Sequence, residues 1–159
     1  MMTPLNRYPA SAMIVVFALG DQRCGLPLSV VERVVRVAGF TPLPEAPEIV
    51  LGVVNVQGRV TPVIDVRRRF RLPERAIALT DQMVIAHTTR RLVALLVDAV
   101  TDVLEYSEQQ AVAAEDVLPD LQYLEGLVKL DDGVILIHNL DRFLSLDEET
   151  ALDRAMEDA

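Results

Sequence analysis

The apolar residues of this chain fall in short runs, and most runs are strand-length. Met13–Leu19 reads Met-Ile-Val-Val-Phe-Ala-Leu and ends at Gly20-Asp21, a hairpin-type turn, with Arg23–Pro27 as the returning strand. Leu28–Val37 fits no single period and reads as a helical turn leading into a strand from about Arg33. Pro42, Pro44 and Pro47 then exclude a regular ladder, because proline lacks the donor N–H, and predict a stiff surface connection. Gly52–Val56 and Arg59–Ile64 are two strands around the turn Gln57-Gly58. Pro62 inside the second predicts an edge or bulge position. Asp65 is placed to cap a short helix over Val66–Phe70.

After a linker, Leu72–Asp81, the pattern restarts. Met83–Ala86, Arg91–Val97 and Val100–Tyr106 read as strands, with His87–Arg90 as a polar turn. Residues 107–120 read as irregular. Tyr123–Leu130 and Val134–His138 form a hairpin around Asp131-Asp132-Gly133, and Asn139–Leu144 a short helix. The layout is therefore two β-rich halves, about 13–70 and 81–144, between a loose leader (1–12) and an acidic C-terminal helix or tail (145–159). Ser145 caps that last segment, whose apolar stripe (Leu146, Ala151, Leu152, Ala155) is thin, so weak docking or fraying is expected.

Composition narrows the function. The chain has 159 residues, half of them hydrophobic (51%) but only 4% aromatic and no Trp, so the core must be built from Val, Leu and Ile. The net charge of −9 argues against a nucleic-acid backbone as partner. Six acids in the tail against the single Arg154 supply more than half of that charge. Arg67, Arg68, Arg69, Arg71 and Arg75 form a local basic cluster, ordinarily a solvated surface, or else a docking patch for an acidic partner. The lone Cys24 allows no intrachain disulfide and is expected as a small buried hydrophobe. No signal-peptide pattern or run of ~20 apolar residues appears, which predicts a cytoplasmic protein without membrane insertion.

Assembled chemistry is not visible. The chain holds no Gly-x-Gly-x-x-Gly, Walker, His-Glu-x-x-His, Cys-x-x-Cys or Gly-x-Ser-x-Gly pattern. His87 and His138 lie in separate halves, and Asp65 and Asp98, each following an apolar strand, read as turn caps rather than an acid–base pair. A binding module fits this better than an enzyme.

The order of motifs resembles the CheW-like domain family. Gly52-Val-Val-Asn55-Val-Gln57-Gly58-Arg59-Val-Thr-Pro62-Val-Ile-Asp65 is similar to the family signature: Gly, two apolar, Asn, apolar, Arg, Gly, three residues, Pro, two apolar, Asp. Phe17–Asp21 with Cys24-Gly25-Leu26, Leu95–Val100 with Val103-Leu104, and Tyr123–Leu127 with Asp132–Ile137 and Leu140-Asp141 resemble other family segments in the right order, over about 13–145. The resemblance implies two small five-stranded SH3-like β-barrels packed together with short helices at their ends, and no catalysis and no cofactor. It implies a chemotaxis adaptor that couples a CheA-type histidine kinase to methyl-accepting receptors, with Val31, Arg33, Val34, Val54, Gln57, Arg59 and Leu95 on the partner surface. Three positions depart from the family pattern: Gln57 stands for its Arg, Arg33 for a Glu, and Ala94 for a Gly. They predict a divergent paralogue in a specialised chemosensory pathway. The alternative is a small-ligand-binding or regulatory CheW-like domain, like the CheW-like part of a CheV, acting outside the standard array.

Overall fold

The computed structural model describes residues 12–37, 39–113 and 124–157. The expected leader, apart from Ala12, and most of the second half of 107–120 lie outside these residues.

Among the described residues, eleven strands form two mixed sheets. The first, six-stranded, contains β1 (Ala12–Leu19), β2 (Gln22–Pro27), β8 (Ala99–Tyr106), β9 (Ala111–Ala113), β10 (Leu124–Leu130) and β11 (Gly133–His138), in the order β8-β1-β2-β11-β10-β9. The second, five-stranded, contains β3 (Val31–Arg36), β4 (Val50–Val56), β5 (Arg59–Asp65), β6 (Gln82–His87) and β7 (Leu92–Val97), ordered β3-β6-β7-β5-β4. The predicted strands are present within a residue or two. The short strand β9 falls in a segment expected to be irregular. Helix α1 (Val66–Arg69) follows β5, and α2 (Leu146–Glu157) ends the chain.

The two sheets do not follow the two halves of the sequence. The chain leaves the six-stranded sheet after β2, through the 3-10 turn Leu28–Val30, and returns at the junction of β7 and β8. Two parallel pairings, β2 with β11 and β5 with β7, close the exchange. Alternation marks a segment as a strand but does not name its non-local neighbour, and hence the halves looked sequential.

Packing explains the scarcity of aromatics. One cluster lies between the sheets: Phe17, Leu19, Cys24 and Leu26 from the first meet Ile64, Val84, Val93, Leu95 and Val97 from the second. Each sheet has a smaller cluster of its own, Ile14, Val16, Val128, Ile135 and Ile137 in one, and Val56, Val63, Met83, Ile85, Ala94 and Leu96 in the other. β-branched and small side chains fill such thin layers without voids. Cys24 is fully buried, and burial pushes its thiol up to about 12.

The tail helix is better anchored than its thin stripe predicts. Leu152 and Ala155 are buried in the inter-sheet cluster. Ser145 caps the helix through its hydroxyl, which accepts from the Glu148 amide at 3.1 Å, while Glu148 accepts the Ser145 amide at 2.8 Å. Arg69 of α1 holds Glu148 at 2.6 Å, and Arg91 holds both the buried Glu149 (3.1 Å) and Asp153.

Candidate functional site

Each signature residue of 52–65 has a local physical reason. A Cβ at Gly52 would lie 2.3 Å from the Thr41 carbonyl oxygen, because residues 40–41 cross directly over β4. Thr41 and Val53 exchange both backbone hydrogen bonds (2.9 and 2.8 Å). Val53 therefore turns its polar groups away from its opposite number on β5, Pro62. That pair is of the non-hydrogen-bonded kind, and the missing N–H of Pro62 leaves no gap in the β4 ladder. On the other side, pairing with β7 begins only at Val63. Pro62 thus sits in an interior strand, at a stretch paired on one side only; the register shift of this hairpin lies on β4, between Val50 and Gly52.

The turn Gln57-Gly58 has positive φ at both residues (50° and 85°), as a primed hairpin turn requires. The Asn55 side chain accepts the Gly58 amide at 2.7 Å and holds the turn closed. Asp65 caps α1 by accepting the Arg68 amide at 3.3 Å.

The hairpin tip and β3 meet across the sheet. β3 and β5 are separated by β6 and β7, roughly 14 Å in a flat sheet at ordinary strand spacing. Yet the Arg59 guanidinium donates to Glu32 at 2.5 Å. Two long side chains thus bridge the width of the sheet. A bulge at Glu32, where the register with β6 slips between Val31 and Arg33, turns its carboxylate to meet Arg59. The hydrogen bond from Arg59 holds the Glu32 carboxyl below the usual range, and the charges of Arg59, Arg33 and His87 act in the same direction.

Six of the seven expected partner-surface residues lie on these two elements. Val31, Arg33 and Val34 are on β3, with Arg33 and Val34 exposed and Val31 half-buried. Val54 is half-buried on β4, Gln57 is at the exposed tip, and exposed Arg59 begins β5. Leu95 is different: it is fully buried in the inter-sheet cluster, and an apolar side chain on a central strand faces the core, not a partner. Sequence reasoning missed Glu32 and the exposed Val60. The bulge that redirects Glu32 has no sequence signal, but the adjacent opposite charges at 32 and 59 do restore, one and two residues away, the acid and the guanidinium absent at 33 and 57.

Most of the basic cluster is spent internally. Asp98 accepts from the Gly20 amide (2.7 Å), from Arg67 (2.8 and 3.2 Å) and from Arg75 (2.6 Å). Burial opposes the charge of Asp98, and these donors outweigh it, holding the carboxyl below its usual range. Arg75 also forks onto the buried Asp81 (2.7 and 3.0 Å), which fixes the linker. A 230 Å³ cleft beside this network is lined by its own paired charges. With Arg69 on Glu148, the cluster is internal scaffolding except for the exposed Arg71. His138, expected as an ordinary histidine, is buried, stacked on Phe70 at 4.4 Å and edge-on to Phe143, and burial pushes its pKa down to about 4.

A β-rich chain that gathers charged and exposed apolar side chains at one sheet rim, with most of its basic cluster tied up internally, fits an interaction module. Residues 13–148 match the model of the CheW-like domain, and the chain belongs to that family. It is similar to the chemotaxis protein CheW of Rhizobium meliloti, with 29% identity over 140 residues covering 87% of this chain and 90% of the relative. A probable chemotaxis protein CheW of Rhizobium etli is 31% identical over 144 residues, with 87% and 90% covered. The crystal structure of the scaffolding protein TtCheW from Thermoanaerobacter tengcongensis superposes with a TM-score of 0.80 and 31% identity, covering 87% of this chain and 95% of that one. Among the described residues, no helix is long and apolar enough to cross a membrane.

Proposed function

We propose that this chain is a non-enzymatic cytoplasmic adaptor that couples a CheA-type histidine kinase to methyl-accepting chemoreceptors. The observation that carries the reading is the family match over 13–148, in which Gly52, Asn55 and Gly58 of the signature shape the hairpin that presents the rim. The relatives are chemotaxis proteins by name, and the solved neighbour is a scaffolding protein. The proposed partner surface is Val31, Arg33, Val34, Val54, Gln57 and Arg59, together with the neighbouring Glu32 and the exposed Val60.

The reversed charge at 33 and the lost charge at 57 favour a specialised pathway over the general array. The test is reconstitution. The purified chain is mixed with a CheA-type kinase and a receptor signalling fragment encoded beside it, and kinase autophosphorylation is followed. Receptor-dependent kinase activity that requires the chain is the expected result. Failure to bind any such kinase or receptor would sink the adaptor reading. Co-sedimentation with a conventional kinase and receptor pair as strongly as a conventional CheW would sink only the specialisation.

A further inference from the structure

The rim around Glu32 is electrically unbalanced. Glu32 is one carboxylate among three basic groups, Arg59, Arg33 and His87, all near enough to act on it. Arg59 takes it by hydrogen bond. Arg33 is left over, and so is Arg36 further along the strand: among the described residues neither guanidinium has a hydrogen bond or ion pair. This surplus cation stands on a chain whose net charge is −9, with the acid excess concentrated in the last third of the sequence. Exposed apolar side chains lie on the same elements, Val34 (37% exposed) on β3 and Val60 (58%) on β5. Apolar contact supplies affinity at such a patch, and an unneutralised guanidinium selects the charge of what lands there.

β3 is also an edge strand. Its bulge at Glu32 and its arginines guard that edge against strand addition, as bulges and charges commonly do. Contact through side chains, to a helical partner, suits this edge better than a backbone ladder.

Resting on the adaptor reading, we infer that the partner helix docking at the β3 rim presents a carboxylate to Arg33, so that the polarity of this contact is set by the chain's own arginine. An Arg–carboxylate contact of this kind forms two parallel hydrogen bonds, and a lysine in the same place of the partner meets repulsion instead.

The test uses the full chain and two receptor signalling-tip hairpins that differ at one exposed contact position, Glu in one and Lys in the other. Binding is measured by calorimetry at low and high salt. The Glu hairpin should bind at least ~5-fold more tightly at low salt, with the difference shrinking at high salt as exposed charges are screened. Arg33→Glu should reverse the preference, and Arg33→Gln should erase it. Thermal unfolding of each variant checks that the exposed substitution leaves the fold intact. Equal binding of both hairpins to the native chain, or an unchanged preference in Arg33→Glu, overturns the inference and leaves the adaptor reading standing. Binding of neither hairpin by the native chain overturns both.

Discussion

Single residues carry much of this fold, and two of them can be weighed. Gly52 is tied to its place by a carbonyl oxygen and not by its torsion angles. A methyl group there would overlap the Thr41 backbone, and backbone cannot swing aside as a side chain can. Gly52→Ala is expected to cost about 2–4 kcal/mol, the range of other strained backbone substitutions, read from the urea midpoint. Gly58→Ala meets no atom within 4 Å, only its positive φ, and should cost less. Equal losses would show that the crossing at Thr41 is not what Gly52 serves. His138 makes a pH prediction. Its folded pKa of about 4 lies below the ordinary 6.5, so the fold favours the neutral ring. That contribution is complete above pH 6.5 and is lost as pH falls toward 4, by up to about 3 kcal/mol for a shift of this size. His138→Phe, which keeps a ring between Phe70 and Phe143, should flatten the stability curve between pH 7 and 5. An unchanged slope there would assign the acid sensitivity to other groups.

Among the elements, α2 shows how far sequence reading reaches. Its cap at Ser145 and its acidic first turn were legible, because both are local. Its anchorage was not, because that depends on Arg69 and Arg91, which lie far away in sequence. The same divide runs through the rest of the chain. Strand positions and the hairpin at 57–58 follow from alternation and turn chemistry. The basic cluster at 67–75 looked available because its acceptors, Asp98 and Glu148, come from distant elements. Leu95 looked like a surface residue by resemblance, though its run Leu92–Val97 was apolar enough to read as a core strand. The Arg91 anchor yields a sharp expectation. Glu149 is 4% exposed, so removing its main partner strands a buried carboxylate. Arg91→Ala should cost about 2–4 kcal/mol. Arg91→Met combined with Glu149→Met should recover most of it, since two apolar side chains leave no charge to desolvate. By contrast Arg23→Ala, at the exposed pair with Asp132, should cost under about 1 kcal/mol. Similar losses for the two single variants would place α2 outside the cooperative unit.

At the scale of the whole molecule, the question is what joins two sheets woven from alternate parts of the chain. The shared apolar cluster supplies area, but area alone does not fix an angle between layers. Asp98 sits where the chain crosses from β7 to β8, from one sheet to the other. Its amide donates to the Ala18 carbonyl at 3.1 Å, and its carboxylate receives the Gly20 amide of the β1–β2 hairpin, Arg67 of α1 and Arg75 of the linker. Three separate segments thus converge on one side chain, which is what an orientational clamp needs. Asp98→Asn keeps the shape and removes the charge. It leaves Arg67 and Arg75 without their shared counter-ion, and should cost about 1–3 kcal/mol, as expected for charge-assisted bonds. The distribution of that loss matters more than its size. Amide exchange should quicken at Gly20 and at Ala78 and Asp81 of the linker, while Val84 and Leu95, deep in the inter-sheet cluster, should change only as global stability changes. A uniform acceleration across all these amides would mean that Asp98 merely stabilises the fold. A local one would show that the angle between the sheets is held by a polar clamp at the crossover, leaving the apolar interface free to supply cohesion without register.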